Sequence, residues 1–156
     1  MATEIERKFL VNRDGWEELN KPEPLYCAQS YLLNQADRNI RVRIMGTKGF
    51  LTIKSRKTAI SRLEFEYEIP YDEALELLQL CDKQLVEKNR YLIDYESNTW
   101  EVDVFLGQNE GLIVAEIELS SEDQTFAKPD WVTEEVSENP RYYNAQLLLN
   151  PFSEWD

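Results

Sequence analysis

From Thr3 to Leu119 apolar and polar residues alternate in short runs, the two-residue period of β-strands that bury one face. The first run, Thr3 to Val11, puts Glu4, Glu6 and Lys8 on one face and Ile5, Arg7 and Phe9 on the other. Like-facing side chains are then about 6–7 Å apart along the strand. The same period predicts further strands over Leu25 to Leu33, Arg38 to Met45, Phe50 to Arg56, Ser61 to Ile69, Leu85 to Tyr95, Thr99 to Phe105 and Leu112 to Leu119. Turns are expected at 34–37, 46–49, 57–60, 96–98 and 107–111, with Gly46 and Gly49 suited to a tight hairpin. Mostly short connections predict antiparallel neighbours in a sheet able to close on itself.

Helical spacing occurs in fewer places. Residues 13–19 predict a short helix capped by Asn12 or Asp14, followed by the extended linker Lys21-Pro22-Glu23-Pro24. After Pro70, Asp72 is expected to cap a helix of about ten residues in which Ala74, Leu77, Leu78 and Cys81 share a face. Ser121 and Gln124 have capping-box spacing and predict another short helix, broken at Lys128-Pro129. A terminal helix over about 139–149 would carry Pro140 at its first position. No repeat or domain boundary is visible, so residues 1–156 read as a single domain.

The polar faces are unusual. Glu4, Glu6, Glu64, Glu66, Glu101, Asp103, Glu116 and Glu118 occur as spaced acidic pairs, and Arg41, Arg43, Lys88 and Arg90 as spaced basic pairs, with Lys8 and Lys54 alongside. A solvated sheet face would mix charge with Ser, Thr and Gln. The alternative is a barrel lumen lined with charge, its apolar outside covered by the helices. Such a lumen requires its charges to be paired, protonated or bound to a ligand. Clustered carboxylates suit Mg²⁺ or Mn²⁺, and clustered Arg and Lys suit phosphate oxygens. The expected fold is therefore α+β, mainly antiparallel β: an eight-stranded closed tunnel barrel with a charged lumen and flanking helices.

Composition narrows the chemistry. A net charge of −13 argues against nucleic acid and anionic membranes as partners, so any anion site must be local. The chain has no histidine, which removes the commonest general base and transition-metal ligand. Cys27 and Cys81 form no metal-binding spacing and read as reduced thiols of a cytoplasmic protein. No apolar run is long enough for a membrane helix, and the first residues lead into a charged strand rather than a signal peptide.

Glu4-Ile5-Glu6-Arg7-Lys8 resembles the E-x-E-x-K signature of the CYTH superfamily, the triphosphate tunnel metalloenzymes. The likeness continues in order through Arg41-x-Arg43, Thr52-x-Lys54, Glu64-x-Glu66, Lys88-x-Arg90, Glu101-x-Asp103 and Glu116-x-Glu118. Arg141-Tyr142-Tyr143-Asn144 looks like the family's C-terminal helix. The resemblance implies a tunnel that binds a triphosphate with divalent cations, Mg²⁺ or Mn²⁺. Lys8, Arg41, Arg43, Lys54, Lys88 and Arg90 would grip the phosphates; Glu4, Glu6, Asp103, Glu116 and Glu118 would hold metal. Glu64, Glu66, Lys8 and Arg62 are the catalytic candidates, with Glu64 or Glu66 holding a second metal or orienting water. Gln29, Tyr31 and Thr52 stand between substrate contact and lumen packing, and Arg141 between the tunnel mouth and solvent.

The expected activity is metal-dependent hydrolysis of inorganic triphosphate to diphosphate and phosphate, by a monomer or homodimer. The alternatives are an adenylate cyclase or thiamine triphosphatase of the same family, or a non-catalytic polyphosphate- or nucleotide-binding module. Compact loops favour the smallest substrate.

Overall fold

A computed structural model describes residues 3–81 and 85–155. Its strands are β1 (Thr3–Val11), β2 (Leu25–Asn34), β3 (Arg38–Met45), β4 (Lys48–Arg56), β5 (Ser61–Ile69), β6 (Val86–Tyr95), β7 (Asn98–Phe105), β8 (Ile113–Glu118) and β9 (Val132–Glu135). Three α-helices accompany them: α1 (Arg13–Glu18), α2 (Tyr71–Gln79) and α3 (Asn144–Leu149). Every pairing is antiparallel, in the order β5-β4-β3-β2-β6-β7-β8-β1, and β1 closes the barrel on β5. The closure is short: Thr3, Glu4 and Ile5 pair with Leu63, Arg62 and Ser61. Farther along the same edge, β9 takes over beside Phe9 and Val11, while the other edge of β1 pairs with β8 from Glu6 to Leu10. One strand thus holds three neighbours.

The outer wall buries apolar side chains unevenly. Around β1, β7 and β8, Phe9, Trp100, Val102, Ala115 and Ile117 form a core with Trp16 of α1 and with Trp131. Trp16 meets Tyr91 and Trp131 edge-on, at ring-centroid distances of 5.1 and 5.5 Å. α2 covers β3 and β4 through Ala74 and Leu78. It sits so close that a Cβ on Gly49 would lie 2.5 Å from the Ala74 Cβ. The helices do not cover the whole barrel as expected, because Ile53, Phe65 and Tyr67 remain exposed outside β4 and β5. No helix among the described residues is long and apolar enough to cross a membrane.

Four local expectations are corrected. Asp72 is not the helix cap: Pro70 holds the boundary in extended geometry, so α2 starts at Tyr71 and Asp72 lies within its first turn. The segment 121–124 forms no helix, since Ser121 Oγ donates to Asp123 and Gln124 Oε1 accepts from Ser120 N, using the capping groups in a turn. The C-terminal helix is split into a 3-10 turn, Pro140–Tyr142, and α3, because Tyr143 between them is extended (φ −75°, ψ 137°). The Tyr143 hydroxyl donates to Ser137 O at 2.7 Å, and Arg56 stacks 4.4 Å from its ring, which keeps it out of helical geometry. Finally, β9 falls where no strand was expected.

The lumen itself has two parts. On β6, β7 and β8, Val86, Phe105 and Val114 share the inward parity of Lys88, Asp103 and Glu116. They pack with Leu112 and with Leu147 of α3 into an apolar plug. α3 therefore closes off one stretch of the interior instead of covering the outer wall.

Candidate active site

Above that plug lies a cavity of about 430 Å³ with a strongly polar lining. Strand alternation delivers its walls. Glu4, Glu6 and Lys8 enter from β1, Arg41 and Arg43 from β3, Lys54 from β4, Arg62, Glu64 and Glu66 from β5, Lys88 and Arg90 from β6, and Glu116 and Glu118 from β8. The structure thus brings all the predicted site residues around one cavity except Asp103, which has no exposed surface and lies behind Lys88 and Arg90.

Asp103 is the best-satisfied charge in the interior. Its Oδ1 accepts from Arg90 Nε at 2.8 Å, and its Oδ2 accepts from Arg90 Nη2 at 3.0 Å and pairs with Lys88 Nζ at 2.8 Å. Burial opposes its ionisation, but Arg90 and Lys88 outweigh burial and hold the carboxyl at about 2. Lys88 bears the opposite balance: burial outweighs Asp103 and brings its ammonium down to about 8. Lys88 also donates to Asn144 Oδ1 at 2.9 Å, which ties it to α3.

The wall made by β1 and β5 is looser. Glu4 Oε1 stands 3.6 Å from both Lys54 Nζ and Arg62 Nε, and Glu6 Oε1 stands 3.4 Å from Arg62 Nη2. Glu4 Oε1 is buried without a hydrogen-bond partner among the described residues. Burial first, and then the hydrogen bond and charge of Glu64, push the Glu4 carboxyl up to about 7. Glu6 responds oppositely, because Lys8 and Arg62 outweigh its burial and bring it to about 2. Lys8 pairs with Glu116 at 3.2 Å, and its ammonium is raised because Glu116 and Glu6 outweigh burial.

On the opposite wall the cations outnumber their partners. Glu66 Oε2 is shared by Arg41 at 3.4 Å, Arg43 at 3.3 Å and Thr52 Oγ1 at 3.2 Å. The Nε groups of Arg41 and Arg43 are buried with no acceptor among the described residues. Burial, followed by the charges of Arg41 and Arg90, brings Arg43 down to about 10. Lys54 is lowered by burial and by Arg41. Arg41 and Arg43 have one carboxylate oxygen between them, and Lys54 has only a long contact to Glu4, a shortage that phosphate oxygens relieve.

Among the described residues, no three carboxylates converge closely enough, as they stand, to hold a metal. Glu4, Glu6 and Glu116 each face a Lys or Arg instead. The donor set nevertheless fits a hard cation. It is all oxygen, and Glu4 Oε1, which accepts no hydrogen bond among the described residues, belongs to a carboxyl whose charged form burial disfavours and a cation would stabilise.

Several lining residues escaped the sequence reading. Asn34, Asn39 and Arg56 edge the cavity, and Tyr143, Asn144 and Gln146 face it from the C-terminal segment. Asn39 was accessible by counting two back from Arg41. Asn34 was not: a register shift between Tyr31 and Leu33 brings it inward in place of Leu33. Arg141 is not in the lining; it stacks 3.9 Å from the Trp155 ring.

The family model described as the CYTH domain matches residues 2–147. An inorganic triphosphatase of Acetivibrio thermocellus is 50% identical over 153 residues, covering 97% of this chain and 97% of that protein. An inorganic triphosphatase of Nitrosomonas europaea is 40% identical over 152 residues, covering 95% of this chain and 98% of that protein. A crystal structure of an inorganic triphosphatase superposes with a TM-score of 0.64 at 34% identity, over 93% of this chain and 97% of that one.

Proposed function

The chain belongs to the CYTH family, and on that footing we propose that it is a divalent-metal-dependent triphosphatase cleaving inorganic triphosphate to diphosphate and phosphate. The observation that carries this reading is the set of under-partnered cations, with the buried Nε groups of Arg41 and Arg43 foremost, facing an all-oxygen acidic wall across one cavity. Polyphosphate chemistry needs both halves.

In this reading Arg41, Arg43, Lys54, Lys88, Arg90 and Lys8 bind the phosphate oxygens and balance the charge that gathers on the leaving diphosphate. Glu4, Glu6, Glu116 and Glu118 would hold Mg²⁺ or Mn²⁺, which supplies Lewis-acid polarisation of phosphoryl oxygens when bound. Water attacks the terminal phosphorus in line. Glu64, which faces the cavity beside Glu4, receives the water proton as the phosphorus–oxygen bond to diphosphate breaks. Glu66 has three donors on one oxygen, so its role is to orient Arg41 and Arg43. Arg62 holds Glu4 and Glu6 in place between turnovers. Asp103 serves as a positioning residue for Lys88 and Arg90, because both its oxygens are taken. The buried thiol of Cys27 suits a reducing, cytoplasmic setting.

The test is to supply purified protein with inorganic triphosphate, ATP and thiamine triphosphate in turn, each with Mg²⁺ or Mn²⁺, and to assay phosphate and cyclic AMP. Phosphate from the inorganic compound far faster than from the others supports the proposal. Cyclic AMP from ATP as the main product would replace it with the cyclase.

A further inference from the structure

A lysine ammonium has three N–H donors, and two of those on Lys88 have acceptors. One meets Asp103 Oδ2 at 2.8 Å, and another meets Asn144 Oδ1 at 2.9 Å. Lys88 lines the cavity with only 1% of its surface exposed. The ring of Phe105, part of the apolar plug, lies 5.6 Å from the ammonium and offers the third N–H no lone pair. An ammonium held by one acceptor still turns about its Cε–Nζ bond. Held by two it stops turning, and the direction of its third N–H is set.

Asn144 is suited to be the second acceptor. Lys88 can only donate, so the carboxamide must present its oxygen to it. The backbone around Asn144 is tied on both sides. The Tyr143 hydroxyl donates to Ser137 O at 2.7 Å, Ala145 O accepts from Asn34 Nδ2 at 3.0 Å, and Leu147 is packed in the plug. Asn144 is half-buried and lines the cavity, and the mechanism above leaves it without a task.

We propose that Asn144 is a positioning residue for Lys88: together with Asp103 it locks the ammonium so that the remaining N–H donates to a phosphate oxygen. The inference rests on the triphosphatase reading and deepens it. Asp103 supplies charge and one fixed direction. Asn144 supplies the second direction without adding negative charge to a site that must accept an anion, which a carboxylate in its place would do.

The experiment is a double-mutant cycle over wild type, Asn144→Leu, Lys88→Met and the double variant, using inorganic triphosphate and Mg²⁺ or Mn²⁺. Asn144→Ala replaces Asn144→Leu if the latter does not fold. Asn144→Leu is expected to lower kcat/KM roughly tenfold, the effect of one hydrogen bond to a charged group. Its melting temperature should fall by no more than about 4 °C. In the Lys88→Met background the same change should cost less than about twofold, because Asn144 acts through Lys88. A merely structural Asn144 would lose as much in either background, and that result overturns the proposal. So does an Asn144→Leu enzyme within twofold of wild type. Where Lys88→Met leaves no measurable turnover, the cycle is read as affinity for inorganic triphosphate, by calorimetric titration in EDTA, with the same factors expected. The titration also decides if wild type releases no phosphate, in which case the hydrolytic reading itself fails. Tenfold weaker binding by Asn144→Leu then supports the positioning role; equal binding, or no binding by wild type, overturns it.

Discussion

Two groups of opposed charges share one lumen and are held in contrasting ways. Around Asp103, contacts to Arg90 and Lys88 are 2.8–3.0 Å, and the carboxyl has no exposed surface. Around Glu4, the nearest cations stand at 3.6 Å, one oxygen has no hydrogen bond among the described residues, and the carboxyl is pushed up to about 7. The first group has what a buried ion pair needs to be tolerated; the second does not. The difference separates a carboxylate that holds its neighbours from groups left open to a ligand. Asp103, with both oxygens taken and no place in the cavity lining, fixes Lys88 and Arg90 at the wall, while groups left short of partners gain most from an incoming ligand. The apolar plug below, with Val86, Phe105 and Leu147, needs no partners at all and seals the tight group from one side.

The strongest way to break this comparison is to truncate the tight group. Asp103→Leu leaves Lys88 and Arg90 buried without their carboxylate, and should cost about 3–5 kcal/mol of stability. Chemical denaturation measures it; a loss comparable with a surface substitution would show that Asp103 does not hold its neighbours. In the loose group, Lys8→Ala should cut triphosphate hydrolysis by about 100- to 1000-fold, as expected for one lost electrostatic stabiliser. Circular dichroism should show the fold retained, and wild-type turnover would remove Lys8 from the site.

Acid and base then sharpen the contrast. Glu4 is raised from 4.5 to about 7, so between those values the folded protein binds more protons than the unfolded chain. Stability should therefore fall as pH rises through that window, by about 1–3 kcal/mol from this group, and Glu4→Gln should remove that component. Asp103 is lowered from 3.8 to about 2, so its contribution is complete above 3.8 and disappears as pH falls towards 2. Denaturation midpoints measured across pH in the two variants separate these opposite slopes. The smallest effect belongs to Arg141, whose stacking on Trp155 lies away from the cavity lining. Arg141→Ala should change stability by about 0.5–1 kcal/mol and leave hydrolysis within twofold.

The alternation of charged and apolar residues carried most of the barrel. A two-residue period fixes which side chains share a face, so Arg41 with Arg43, and Glu64 with Glu66, were legible as lumen groups. Alternation says nothing about depth, however. Asp103 and Glu116 have the same inward parity as Glu118, yet Asp103 is sealed behind two cations while Glu118 is exposed. Nor does it predict irregularities, such as the shift after Tyr31 that brings Asn34 inward. β9 has four residues and a run of Thr-Glu-Glu; it forms because β1 leaves an edge open beyond its closure on β5, a property of the assembled barrel. The break at Tyr143 likewise depends on contacts with Ser137 and Arg56, which are remote in sequence from any helical signal.

The most direct measurement is the product ratio when purified protein is given inorganic triphosphate with Mg²⁺ or Mn²⁺, with EDTA as control. Equal amounts of phosphate and diphosphate, formed only with the cation, are the predicted result. No diphosphate with either cation, in protein shown to be folded, would contradict the account.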